Sequence, residues 1–246
     1  MENKFNIIWY NELDSTNSEV LRHIDDFDNL SVIAARCQSK GRGQRGNRWF
    51  SAPGENLTFS IVLKPGADGL RKISVRDYFD LNRVSSLSVV SFLSILGVDA
   101  SVKWPNDIYV KNRKISGILI ENSLAGEEIA SSVIGIGINL NQTDFPELSN
   151  ATSVKVITGN SFSVEDALEL FCKEFGKTIS LLGSNSLSET YEEKLFQKGR
   201  LCRYSDYIRD REFDGIIKGV TESGRLIVKE GEEERTYAFK EIGYIL

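Results

Sequence analysis

Residues 36–49 read Arg36-Cys-Gln-Ser-Lys-Gly-Arg-Gly-Gln-Arg-Gly-Asn-Arg-Trp49. Five cations and three glycines stand there with no acid among them, in a chain of net charge −5. Glycine lets backbone approach a ligand closely, and Arg offers a planar fork of donors suited to phosphate or carboxylate. A local anion-binding loop is expected, not the broad basic surface of a nucleic-acid binder. The residues that follow decide the fold. Gly41-Arg-Gly-Gln-Arg-Gly46 has the spacing of the dinucleotide fingerprint, which requires a helix to begin in the loop and meet the pyrophosphate. Here Asn47-Arg-Trp-Phe-Ser-Ala-Pro-Gly54 follows, and Pro53-Gly54 does not suit that helix. The doubly wound reading fails, and a Walker A loop fails for want of Gly-Lys-Ser/Thr.

Outward from this loop, Phe5–Tyr10 and Ser31–Ala35 read as strands, with Asp14-Ser-Thr-Asn17 as a helix-start signal between them. Asn56–Leu63 is a strand closed by Lys64-Pro-Gly66. Asp80–Leu96 carries apolar residues at helical spacing and stops at Gly97. Ala100–Lys103, Ile108–Val110, Lys114–Glu121 and Ile129–Leu140 follow as strands, with a hairpin turn at Asn112-Arg113. After the turn-rich Gln142–Ser153, helices are expected over Val164–Leu182 and Leu187–Phe196. Arg200–Leu246 then alternates apolar and polar residues, at a length that suits a small β-barrel. A domain boundary near residue 198 divides the chain into 1–198 and 199–246.

Bulk composition narrows the setting. At 246 residues with 41% hydrophobic and 26% charged side chains, this is an ordinary globular chain. No apolar run approaches the roughly 20 residues that cross a bilayer, and the first residues lack a secretory signal pattern. Cys37, Cys172 and Cys202 are too scattered for a disulfide framework or zinc site, which favours a reducing cytoplasm. His23 is the sole histidine and reads as a solvated helix residue, so a Ser-His-Asp triad is not expected.

Three further clusters carry chemistry. Lys103-Trp-Pro-Asn-Asp107 places an amide and a carboxylate at a strand rim, where Pro105 fixes the turn. Lys114-Ile-Ser-Gly117, running on to Glu121, opens an apolar strand with a cation and interrupts it with a glycine. Gly135-Ile-Gly-Ile-Asn-Leu-Asn141 leaves room for something flat against the backbone. Taken singly, each has a structural explanation: a turn, an edge charge, close backbone packing.

Together and in this order, with the early Ser15-Thr-Asn17, they resemble the biotin protein ligases, specifically the monofunctional type. The likeness runs from about Trp9 to Asn141 and continues weakly from Asp144-Phe-Pro to Ala151-Thr-Ser. It implies an α+β fold: a central mixed or antiparallel sheet flanked by helices, a class II synthetase-like core, with the small C-terminal barrel. It also implies a two-step, AMP-forming reaction in which ATP and biotin give biotinyl-5′-AMP. Biotin then passes to a lysine of a biotin carboxyl carrier protein or domain. Lys114, Arg42 and Lys103 are the implied catalytic cations. Ser15, Thr16, Asn17, Gln38, Gly41, Arg42, Gly43, Gln44, Lys114, Gly117 and Gly135 are implied on the biotin side. Arg42, Arg45, Trp49, Lys103, Asn106, Asp107 and Asn139 are implied on the ATP side, with Asp107 helping to hold Mg²⁺ and no tightly bound prosthetic group. Trp49 and its glycine loop would close over the ligand as a lid.

Two departures stand out. Gln44 and Asn47 occupy positions where several bacterial members carry arginine. The Ser-Thr-Asn motif also starts too early for a preceding helix-turn-helix module, so no operator binding, nucleic acid or membrane partner is expected. The assembly is read as a monomer or homodimer. A lipoate or octanoate ligase, which shares the core, lacks support because no Arg-Arg-x-Ser-Gly-Gly-Gly string followed by His-Asp occurs. A non-enzymatic nucleic-acid module is disfavoured by the pI near 5.2.

Overall fold

The structure, a computed structural model, describes residues 4–146 and 150–246. The start of the N-terminal segment and residues 147–149 of the turn-rich stretch lie outside the described residues. Seven strands form the main sheet: β1 (Asn6–Leu13), β2 (Ser31–Gln38), β3 (Leu57–Leu63), β4 (Ser101–Lys103), β5 (Asp107–Val110), β6 (Arg113–Ala125) and β7 (Glu128–Ile138). Their spatial order is β1-β2-β3-β7-β6-β5-β4. Among the described strands of this sheet β1 and β2 pair in parallel and the other strand pairs are antiparallel, so the sheet is mixed.

Alternation along β3 sorts side chains to the two faces. Phe59 and Ile61 face a large core shared with α2 (Phe79–Ile95) and the helix at Val164–Ile179. Phe171 from that helix meets Phe59 at 4.9 Å and Phe92 at 5.9 Å between centroids. Replacing so buried a ring by Ala costs about 3–5 kcal/mol. Helix α2 stops at Gly97, whose φ of 81° is open to glycine and strained for other residues. On the opposite face, α1 (Thr16–Arg22) contributes Val20 to a smaller cluster with Ile33, Val62 and Val133. That short helix covers only one end of the face, and the remainder stays open as a cavity.

The second half of the chain adds α3 (Val154–Thr158), α4 (Val164–Ile179) and α5 (Asn185–Glu193), then β8 (Leu201–Asp206), β9 (Arg211–Val220), β10 (Leu226–Glu230), β11 (Glu233–Tyr237) and β12 (Ile242–Tyr244). These last strands form an antiparallel sheet in the order β11-β10-β9-β8-β12. β11 and β12 are its edges, so the expected small barrel is an open one. The turn expected at Asn112-Arg113 falls one residue earlier, because Arg113 already pairs with Val110 and Lys111 takes the left-handed conformation at φ 53°. α3 was not foreseen; five residues are too few to show a helical period.

Candidate active site

Cross-strand partners in a sheet point to the same face. One such row on the open face runs Lys103, Asp107, Gly117, Gly137, Thr58 across β4, β5, β6, β7 and β3. The next row runs Leu119, Gly135, Ser60, Ile33. Glycines at 117, 135 and 137 therefore leave a bare shelf, with cations at one end and hydroxyls and amides at the other. Lys114 lies three residues from Gly117 and in a regular strand would face the opposite side. A bulge sets Ser116 opposite Ile108 but Lys114 opposite Tyr109, leaving Ile115 as the extra residue. This shift turns Lys114 onto the cavity face, a common use of a bulge.

The resulting cavity holds about 410 Å³, within the usual range for a small-molecule site. Ser15, Thr16 and Asn17 form its polar end, each 3% exposed. Ser15 stands at the helix start but makes no capping bond, so its hydroxyl is not spent on the helix. Gln38 Oε1 accepts from Thr16 N at 2.8 Å. Asn17 Nδ2 donates to Leu119 O at 3.2 Å and Glu121 Oε2 at 2.9 Å, while Asn17 Oδ1 accepts from Ser60 Oγ at 2.6 Å.

The basic loop folds over the shelf. Gly43 N donates to Asn47 O at 2.7 Å and Trp49 N to Gly41 O at 3.0 Å. Gly41 lies directly beneath the Trp49 carbonyl, and a Cβ there would collide with it. Trp49 rests its indole against the glycine backbone. A Cβ at Gly137 would sit 2.6 Å from Trp49 Cζ2, and one at Gly117 would sit 3.1 Å from Cζ3. Arg42 turns toward the sheet, where Nη2 and Nη1 donate to Glu121 Oε1 and Oε2 at 2.7 and 3.1 Å.

At the cationic end Lys114 Nζ pairs with Asp107 at 2.5 Å and lies 5.8 Å from the Trp49 ring centroid. Lys103 Nζ donates to Tyr109 Oη at 3.2 Å and sits over the rings of Tyr109 and Tyr244. Burial lowers the Lys103 pKa below its ordinary 10.5; Lys114 adds to this and Asp107 opposes it. Burial likewise pushes the Tyr109 hydroxyl up to about 12. Among the described residues no cluster of three or more His, Cys, Asp or Glu could cage a metal ion. Asp107 alone, already committed to Lys114, does not fit a resident metal site. Any Mg²⁺ would have to arrive on the nucleotide's phosphates.

The C-terminal sheet closes the cavity from above with Tyr207, Lys240, Gly243 and Tyr244. It is fastened by Trp104, whose Nε1 donates to Gly224 O at 2.9 Å and whose ring meets Phe239 edge-on. The Lys-Trp-Pro-Asn-Asp turn thus anchors the roof as well as presenting Lys103 and Asp107.

Most of the expected site residues meet in this cavity: Ser15, Thr16, Asn17, Gln38, Arg42, Gly43, Gln44, Trp49, Lys103, Asn106, Asp107, Lys114, Gly117 and Gly135 all line it. Gly41 does not; it supports the Trp49 backbone from behind. Asn139 does not either, because its Nδ2 donates to Thr152 O at 2.9 Å in the protein interior. Asn106 lines the cavity yet spends its Nδ2 on Ile118 O at 2.7 Å. The side chain of Arg45 lies outside what the structure describes. Gly137 was missed, although its spacing of two from Gly135 puts both on one face. The roof residues carried no motif that could have placed them.

A mixed sheet with a bare glycine shelf, a cation-rimmed cavity and a small β-roof defines the class, and the chain belongs to the Biotin/lipoate A/B protein ligase family, whose model matches residues 10–139. Within that family it is similar to the biotin–[acetyl-CoA-carboxylase] ligase of Paracoccus denitrificans, 29% identical over 88% of this chain and 91% of that one. It is also similar to the bifunctional ligase/repressor BirA of Escherichia coli, at 27% identity over 89% of this chain and 67% of that one. The biotin protein ligase of Aquifex aeolicus in complex with biotin and ATP superimposes with a TM-score of 0.76, at 28% identity and covering 97% of both chains.

Proposed function

We infer that this chain is an ATP-dependent biotin protein ligase. It activates biotin as biotinyl-5′-AMP and transfers it to a lysine of a biotin carboxyl carrier protein. The observation that carries the reading is the juxtaposition, along one glycine shelf, of an amide-and-hydroxyl end with a two-lysine end. A ureido ring offers one carbonyl acceptor and two N–H donors, which suit Ser15, Thr16, Asn17 and Gln38. A carboxylate reaching along the shelf meets Lys114.

In the first step a biotin carboxylate oxygen bonds to the α-phosphorus of ATP and the bond to pyrophosphate breaks. Two anions must meet, so preorganised positive charge is required, and removing one such donor typically costs about 10²–10³ in rate. Among the described residues Lys114 and Lys103 supply positive charge on this side of the cavity. Lys114 would exchange Asp107 for the carboxyl and α-phosphate oxygens. Trp49 and its loop shield the mixed anhydride from water. In the second step the carrier's lysine amine attacks the acyl carbon, AMP leaves and the amine gives up a proton. Residues 1–198 serve as the catalytic unit and 199–246 as the roof, and Mg²⁺ enters with ATP. Cytoplasmic location belongs to the same reading.

The test is isotope exchange between pyrophosphate and ATP. Exchange that depends on biotin supports the reading, whereas exchange indifferent to biotin, or driven instead by lipoate, contradicts it.

A further inference from the structure

Glu121 has no part in the chemistry above, yet its carboxylate sits where the loop and the polar end of the cavity meet. It takes both Nη atoms of Arg42 and, on Oε2, Asn17 Nδ2. An ionised carboxylate only accepts. With Glu121 and Leu119 O both accepting, the Asn17 amide must present its NH₂ to them and its oxygen to Ser60. The single proton of Ser60 is then spent on Asn17. Ser60 Oγ lies 2.8 Å from Thr16 Oγ1, while Thr16 Oγ1 donates to Gln38 Oε1 at 3.3 Å. The Thr16 hydroxyl is left with lone pairs, not a proton, for the cavity.

We propose that Glu121 is a positioning residue that sets the polarity of the ureido-binding end and clamps the Arg42 loop onto it. This rests on the biotin reading given above. Among the described residues, the other side-chain ties of the loop are weaker: Arg42 Nη1 to Ser18 Oγ at 3.4 Å, Arg48 Nη2 to Ser39 O at 3.5 Å and the packing of Trp49. The orientation of Thr16 makes the site selective for a ring that offers N–H toward Thr16.

The experiment compares E121Q, E121D, R42Q and the E121Q/R42Q double variant by calorimetric binding of biotin and of ATP, and by amide exchange over 41–49 without ligand. E121Q should weaken biotin about tenfold or more, the scale of one lost charge-assisted hydrogen bond, with ATP affinity changed less than about twofold by the same reasoning. Its loop should exchange faster than wild type. The double variant should bind biotin no more weakly than E121Q, which already releases Arg42, as expected for partners in one network. E121D keeps the charge and should bind biotin more tightly than E121Q, a comparison that survives if E121Q folds poorly. Unchanged loop exchange in E121Q, equal weakening of both ligands, or additive effects in the double variant would overturn the proposal. Failure of the wild type to bind biotin would instead sink the biotin reading, and the ligand-free loop exchange would still decide the clamp.

Discussion

Gly135→Ala puts the shelf under direct test. A Cβ at residue 135 would sit 2.8 Å from Asn17 Cγ and 3.0 Å from Nδ2, and nearer still to Oδ1. The Oδ1 contact is the tightest, and clearing it requires the amide to retreat by roughly 1 Å. It cannot do so freely, because Ser60, Leu119 O and Glu121 hold it by three hydrogen bonds. Weakening a charged bond worth about 1.5–3 kcal/mol and two neutral ones of about 1 kcal/mol each puts the loss near 2–4 kcal/mol. Ala in a strand returns about 0.5–1 kcal/mol in backbone entropy. The net loss of about 1–3.5 kcal/mol should lower the thermal midpoint by roughly 2–14 °C in a chain of this size. Differential scanning calorimetry reads the midpoint, and titration calorimetry should find biotin affinity down by at least about tenfold. A midpoint within a degree of wild type with normal biotin binding would refute the packing described here.

The remaining predictions probe the other end of the cavity. Gly137→Ala collides with the Trp49 indole, but that ring sits on a loop and can leave. Stability should therefore hold while kcat/KM falls about a hundredfold, the usual penalty for a misplacement near 1 Å. Normal kcat/KM would show that Trp49 has no work in the site. Lys114→Ala should cut ATP–pyrophosphate exchange by about 10²–10³ with the fold intact, and near-normal exchange would mean the catalytic cation is misplaced. Lys103 must be protonated to meet phosphate, and burial lowers its pKa. Activity should therefore fall as pH rises through a value below 10.5 in kcat/KM for ATP, which reports the free enzyme. K103R should move that limb upward, and an unchanged limb would assign it to another group.

Much of this was legible in the sequence because the site is built from contiguous motifs. Strand alternation and the stop at Gly97 placed β3 and α2 to within a residue of their observed bounds. The clusters around Gly41, Lys103, Lys114 and Gly135 supplied the cavity lining. Local signals could not show which side chains are consumed by the protein itself. Asn139 lies two residues past Gly137, so alternation alone would put it on the shelf face, but β7 ends at Ile138 and the amide goes to Thr152 instead. Arg42 looked like a free anion-binding cation, yet Glu121, 79 residues away, takes it. The bulge that turns Lys114 onto the shelf depends on a register shift against β5, which no single strand reveals. Tyr207, Lys240 and Tyr244 reach the cavity only through docking of the C-terminal sheet on Trp104, a contact made across 120 residues of sequence.

The central claim is that one cavity joins biotin to adenylate and then to a protein amine. Incubating the chain with biotin, Mg-ATP and a biotin carboxyl carrier domain, then weighing the carrier intact, tests it most directly. The account predicts one biotinyl group on one lysine, with none added when ATP is omitted or when Lys114→Ala replaces the wild type. A carrier of unchanged mass, alongside a known biotin ligase that modifies the same preparation, would contradict it.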